Sequence, residues 1–189
     1  MLDQCNAFVL AAGFGKRLRP LTETVPKPML PICGRPLLGR VLDKLRVLNT
    51  RAVGVNAHYL AAEIETYLQK RDDAEKLRFF NESEILGTGG GLANAADFLS
   101  ETEHFVLHNG DVLADVDIEA AVNSHLSSGA QVTWVMVDGP ENKVGVKPDG
   151  RIVEIAGLAK TAPETLADCR MLTYSGVAVY AKTFLDHLK

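Results

Sequence analysis

Apolar and polar positions fall into short blocks along the chain, and the blocks alternate between two periods. Runs rich in β-branched and aromatic residues (NAFVL, AVGVNA, KLRFFNE, HFVLHNGD and QVTWVMV) read as strands starting at residues 6, 52, 76, 104 and 131. Between them the apolar positions move to helical spacing. PLLGRVLDKLRVLN puts Leu37, Val41, Leu45 and Leu48 on one stripe, and YLAAEIETYLQKR does the same with Leu60, Ile64 and Leu68. GLANAADFL reads as a helix after a glycine-rich turn, and DIEAAVNSHLSSG as one capped by Asp117 and closed by Gly129. Strand–helix alternation of this kind predicts a three-layer, Rossmann-like α/β sandwich around a mostly parallel sheet. Trp134, in an apolar strand, reads as core.

After Pro140 the texture changes. KVGVKPDGRIVEIAG predicts a hairpin turning at Pro148-Asp149-Gly150, MLTYSGVAVY a further strand, and AKTFLDHLK the start of a helix. No repeat or linker marks a boundary, so residues 1–189 read as a single domain. Its first part, to about 138, carries the loops described next, and its second part covers about 139–189.

In open α/β sheets ligands bind beyond the carboxyl ends of the strands. Three unusual segments follow such ends: the loop after the first strand, NESEILGTGGG after the third, and NGD after the fourth. The first loop fits neither familiar phosphate motif. After Gly13 and Gly15 a GxGxxG fingerprint requires glycine where Leu18 stands, and a Walker A loop requires glycine at Leu10 and Ser or Thr at Arg17. What remains is a glycine turn whose amides can approach an anion, followed at once by Lys16, Arg17 and Arg19. Prolines 20, 26, 28 and 31 restrain the rest and hold Lys27 on a stiff backbone.

Charge sharpens this picture. The net charge is −4, yet nine Lys or Arg residues lie between Lys16 and Arg51 against two acids, Glu23 and Asp43. That balance argues against a nucleic-acid binder and for a small polyanionic ligand at the first loop. Arg40, Lys44 and Arg46 read as the wet face of a helix. No apolar run is long enough to span a bilayer. Three scattered cysteines, without a CxxC pair, predict a reducing cytoplasmic setting. The five histidines show no metal-ligand spacing and read as surface or hydrogen-bonded strand-end residues. Asp111 ends a strand, where it either caps the next turn or binds a metal. Two phosphate-like loops at the same sheet edge favour the metal.

LAAGFGKRLRPLTETVPKPMLPICGRPLL resembles the N-terminal signature of the sugar-1-phosphate nucleotidyltransferases, LAAGxGxRxxPxTxxxPKPMxPxxGxPL. LGTGGGLANA and NGD resemble the second and third motifs of that family, in order. The resemblance implies the nucleotide-diphospho-sugar transferase type of fold. It also implies a reaction in which a sugar 1-phosphate attacks the α-phosphate of an NTP and releases pyrophosphate. By resemblance, Leu10, Ala12, Gly13 and Gly15 line the nucleotide, Arg17 holds the leaving phosphates, Lys27 meets the reacting centre, and Asp111 holds Mg²⁺. Gly87 and Thr88 are candidates for base and ribose contact. Glu82 stands where the family places the residue that reads the base edge. An acceptor-only carboxylate there suits guanine better than uracil, although uridylyl-transferring members also share the TGGG turn. The alternative for Glu82 is an exposed strand-end carboxylate. Gly145 resembles the family's sugar-side glycine, with Val144 replacing a tyrosine, and Lys160 is a displaced candidate for the sugar phosphate.

By resemblance, the family's second metal-binding carboxylate lies on a late strand with no counterpart here, so either the chain continues beyond Lys189, which is the expectation, or one metal ligand is missing. Two other readings remain open: a non-catalytic, nucleotide-sugar-binding regulator, and a transferase for a non-sugar phosphate such as phosphocholine. The sequence sets neither the base and sugar nor the oligomeric state.

Overall fold

A computed structural model describes residues 2–139, 141, 143–156, 158, 166 and 168–188. The chain divides into two compact units, Met1–Thr133 with Val177–Lys189, and Trp134–Gly176.

The first unit is built on β1 (Asn6–Leu10), an almost entirely buried strand flanked on both sides by parallel partners. Ala7, Phe8 and Val9 have no exposed surface, which is why the strand is continuously apolar rather than alternating. The one polar residue inside, Asn6, donates from its side-chain amide to the Phe98 carbonyl at 2.8 Å. A small antiparallel ribbon, β2 (Pro31–Ile32) with β3 (Arg35–Pro36), precedes helix α1 (Leu37–Val47). Then come β4 (Val53–Ala57), α2 (Ala61–Gln69) and β5 (Leu77–Asn81). The chain continues through α3 (Gly87–Asn94), α4 (Ala96–Leu99), β6 (His104–Asn109) and α5 (Ile118–Ser128). The sheet order in this unit is β5-β4-β1-β6, and beyond β6 lies the end of β10 (Arg170–Ala181). β10 runs antiparallel to β6, with Val177 opposite His108 and Ala181 opposite His104. The sheet is therefore mostly parallel, as its sequence predicts, with one strand reversed.

Gly54 in β4 shows how tightly the sheet meets its helices. A Cβ there would lie 2.7 Å from Phe8, 2.9 Å from Phe98 and 3.0 Å from Phe80. These three rings form a tilted cluster with centroid spacings of 5.6 Å. The two buried rings, Phe8 and Phe98, each contribute roughly 2–3 kcal/mol of apolar burial, Phe80 is half-buried beside them, and glycine is what leaves the space for all three.

β7 (Val132–Val137) and β10 each run across the division between the units. In the second unit β8 (Val144–Val146) pairs antiparallel with β9 (Ile152–Ile155) and with β10. The predicted hairpin turn is present: the Lys147 amide donates to Arg151, and Gly150 turns at φ 87°. Trp134 is half-buried against Tyr174, with ring centroids 4.7 Å apart, rather than central core.

Four local expectations change. GTGGG is the first turn of α3 rather than a turn before it, and the helix breaks at Ala95 before α4. Leu60 is not on the inner stripe of α2; it precedes the helix in a left-handed conformation, φ 51°. The segment Lys182–Leu188 is a 3-10 helix, a tighter coil than the predicted α-helix. Lys44 is not on a solvated face: its ammonium bridges from α1 to the carbonyls of Ala114 and Val116, at 3.0 and 2.8 Å.

Candidate active site

The parallel register brings Leu10 level with Asn56 on one side and Asn109 on the other, so β1, β4 and β6 end at one line. Past that line the chain leaves β1 as Ala11-Ala12-Gly13, which forms one wall of a cavity. Lys27, Asn56, Ile85, Gly87, Thr88, Asn109 and Asp111 complete it. A Cβ on Gly13 would meet no protein atom within 4 Å, so internal packing does not explain that glycine; close approach by a ligand does.

A second cavity adjoins the first and shares Gly13, Lys27 and Asp111 with it; Gly15, Lys16 and Arg17 form its outer side. The first loop folds back on itself here. Gly15 turns at φ 63°, and its carbonyl accepts the Thr22 hydroxyl proton at 3.0 Å. A Cβ on Gly15 would come within 2.9 Å of Thr22 and 3.0 Å of the Lys27 Cβ, so glycine is what sets Lys27 against the turn. Lys27 itself lies between two buried prolines and opens a 3-10 turn, Lys27–Met29. Its ammonium ends 2.5 Å from an Asp111 carboxylate oxygen, in a half-buried ion pair. Asp111 is fixed in turn because the preceding Gly110 donates its N–H to the Leu10 carbonyl at 2.8 Å. Arg17 is exposed, lines the outer cavity and makes no ion pair among the described residues. Lys16, on the same side of that cavity, has its ammonium over the ring of Phe14, 4.9 Å from the centroid.

Arg17, Lys27 and Asp111 thus stand around one cavity, next to the cavity lined by Leu10, Ala12, Gly13, Gly87 and Thr88. Glu82 is different. It is 3% exposed, which removes the exposed-carboxylate reading, and both its oxygens have protein partners. Oε1 accepts from the Asn56 side chain at 2.6 Å and Oε2 from the Leu86 N–H at 3.2 Å. Gly145 lies in the second unit, in β8, where a Cβ would meet Glu154 at 2.9 Å and Met171 at 3.5 Å. Lys160 lies outside the described residues.

Asn56, Asn109, Pro28 and Ile85 also line the first cavity and were not singled out in the sequence. A polar Asn closing the otherwise apolar AVGVNA was the available signal. Two buried histidines lie on β6 and α5, outside the linings of these two cavities. His108 is buried and bonded to the Asn109 carbonyl at 2.8 Å; burial holds its pKa below the ordinary value, with that carbonyl pulling the other way. His125 is also lowered, by burial and then by its neighbour His104.

Among the described residues no group of three or more His, Cys, Asp or Glu side chains could cage a metal ion. A single carboxylate with phosphate oxygens and water is nevertheless an ordinary environment for Mg²⁺. Asp111, one-third exposed at the strand end, fits a cation that arrives with a polyphosphate. No helix among the described residues is long and apolar enough to cross a membrane.

Residues 6–146 match the nucleotidyl transferase family. The chain is 33% identical over 190 residues to the N-acetylmuramate alpha-1-phosphate uridylyltransferase of Neisseria meningitidis serogroup B, covering 97% of this chain and 78% of that protein. It is 37% identical over 135 residues to the mannose-1-phosphate guanylyltransferase of Mycobacterium tuberculosis, covering 71% of this chain and 37% of that longer protein. Among solved structures, HddC from Yersinia pseudotuberculosis, crystallised with GMP-PN, superposes with a TM-score of 0.77 at 25% identity, covering 96% of this chain and 79% of that one. The signature loop, the sheet-edge cavities and the match across most of the chain agree: this chain belongs to the nucleotidyl transferase family, among the sugar-1-phosphate nucleotidyltransferases.

Proposed function

We propose that the chain joins a sugar 1-phosphate to GTP or UTP, giving a nucleotide sugar and pyrophosphate. The observation that carries this reading is the grouping of Arg17, Lys27 and Asp111 around one cavity beside a glycine-walled one. The nucleoside lies between Ala11–Gly13 and the Gly87–Thr88 turn, and its phosphates extend towards Lys27 and Arg17. A phosphate oxygen of the sugar 1-phosphate attacks the α-phosphorus, the bond to the β-phosphate oxygen breaks, and pyrophosphate leaves. Little proton transfer is required; positioning and charge stabilisation dominate such reactions. Lys27 neutralises oxygens at the α-phosphate and Arg17 receives the charge gathering on the leaving pyrophosphate. Asp111 would hold Mg²⁺, which would supply further charge stabilisation across the phosphates. Because both Glu82 oxygens are bonded within the protein, Glu82 gives no reason to choose guanine over uracil.

The test is a pyrophosphate-release panel of four NTPs against several sugar 1-phosphates with Mg²⁺. One pair should turn over well above the rest, and Asp111→Ala, Lys27→Ala and Arg17→Ala should each lower kcat by about 10²–10³-fold. No turnover with any pair would overturn the enzyme reading; an unchanged rate in Asp111→Ala would remove the metal assignment.

A further inference from the structure

A buried polar bridge, to which no step of the proposed transfer assigns a role, runs from the wall of the first cavity, which Asn56 lines, into the protein. Asn56 is 2% exposed and Glu82 is 3% exposed. The Ala11 N–H donates to Asn56 Oδ1 at 2.8 Å, Asn56 Nδ2 donates to Glu82 Oε1 at 2.6 Å, and the Leu86 N–H donates to Glu82 Oε2 at 3.2 Å. The chain of bonds Ala11–Asn56–Glu82–Leu86 therefore joins the residues just past β1 and β5 and the end of β4 to the residue that opens α3. Its two ends carry the two cavity walls: Ala11–Gly13, and Gly87 with Thr88. α3 crosses directly over the bridge. A Cβ on Gly91 would stand 2.9 Å from Asn56 Nδ2 and 3.0 Å from Glu82 Oε1, so the last glycine of GTGGG is the one that makes room for this pair.

Burying a carboxylate costs several kcal/mol unless hydrogen bonds replace its water, and apolar side chains would fill the same space without that cost. What the polar pair adds is a fixed spacing. We propose that Asn56 and Glu82 are positioning residues that set the distance between the β1 loop and the first turn of α3, and through it the grip on the nucleoside end of the NTP. This rests on the nucleotidyl-transfer reading above.

The bridge has a direction, which makes it testable. In Glu82→Gln, the new amide must point its NH₂ at the Asn56 NH₂ or at the Leu86 N–H, and one bond is lost either way. In Asn56→Asp, two carboxylates face each other. The double variant Asn56→Asp/Glu82→Gln reverses the donor and satisfies every group. The carboxylate introduced at position 56 would accept from the Ala11 N–H and from the amide introduced at position 82, whose oxygen would accept from the Leu86 N–H. Net charge is unchanged.

NTP affinity by calorimetry, KM and kcat, and amide exchange at Ala11 and Leu86 are measured on all four proteins. Each single variant should weaken NTP binding by about tenfold or more and speed exchange at both amides. The double variant should recover to within about threefold of wild type. Gly91→Ala, which leaves both polar groups in place but intrudes on them, should weaken NTP binding too and serves if a single variant does not fold. Wild-type affinity in the single variants, or a double variant no better than the worse single, would overturn the proposal. So would a switch in GTP-to-UTP preference in Glu82→Gln that Asn56→Asp does not repair, since that is the mark of base reading. A wild-type protein that binds no NTP would overturn the nucleotidyl-transfer reading instead, and the exchange data would then report on the bridge alone.

Discussion

His125 is buried in α5 and bonded to side chains from two other elements. It is 1% exposed, its Nε2 lies 3.1 Å from His104 Nδ1, and its Nδ1 lies 2.9 Å from the Thr133 hydroxyl. Both it and His108 have folded-state pKa values below 6.5, chiefly through burial. Below that value the unfolded chain takes up protons that the folded one resists, so the contribution to stability is complete above pH 6.5 and declines as pH falls beneath it. Denaturant unfolding should show wild-type stability falling between about pH 6.5 and 5, with a shallower slope in His125→Gln whatever that variant's stability at pH 7.5. An equal slope in both would exclude His125 as a source. The sequence reading of a surface or hydrogen-bonded strand-end residue does not hold for His125, which is buried within α5; its partners were not legible because His104 and Thr133 approach only when β6, α5 and β7 assemble.

Elements show the same division between what is local and what is not. The strands, the stripe of α1 and the caps of α5 depend on neighbours within a few residues, so pattern and cap chemistry identify them. Asp117 accepts from the Ala120 N–H at 2.9 Å, and Gly129 closes the helix at φ 65°. Lys44 depends on residues seventy positions away and reads locally as solvated. Its bonds to Ala114 and Val116 tie α1 to the loop that leaves Asp111. Lys44→Met should keep the aliphatic packing, lower stability by about 1–2 kcal/mol and speed amide exchange over residues 112–116. Unaltered exchange there would show that the loop holds itself.

At the scale of the molecule, alternation predicted a mostly parallel sheet, and motif order placed three loops at one edge. The reversal of β10 was not legible, since strand direction is decided by which edge a late segment meets. The buried state of Glu82 was not legible either, because its partner Asn56 lies on a different strand. The best-read part of the site was the loop from Gly13 to Lys27, where glycine and proline act locally. Its Lys27–Asp111 ion pair has a consequence for the order in which ligands arrive. A tethered ammonium already neutralises the carboxylate, and its tether gives it a high effective concentration there. On the proposed function, a divalent ion by itself would have to compete with it, whereas one delivered on a triphosphate would offer the lysine another anion in exchange. Replacing this cationic side chain should therefore improve one property while lowering turnover. Lys27→Ala should bind Mn²⁺ without nucleotide more tightly than wild type, by about tenfold in paramagnetic titration. Equal or weaker binding would show that Asp111 is open to lone cations from the start.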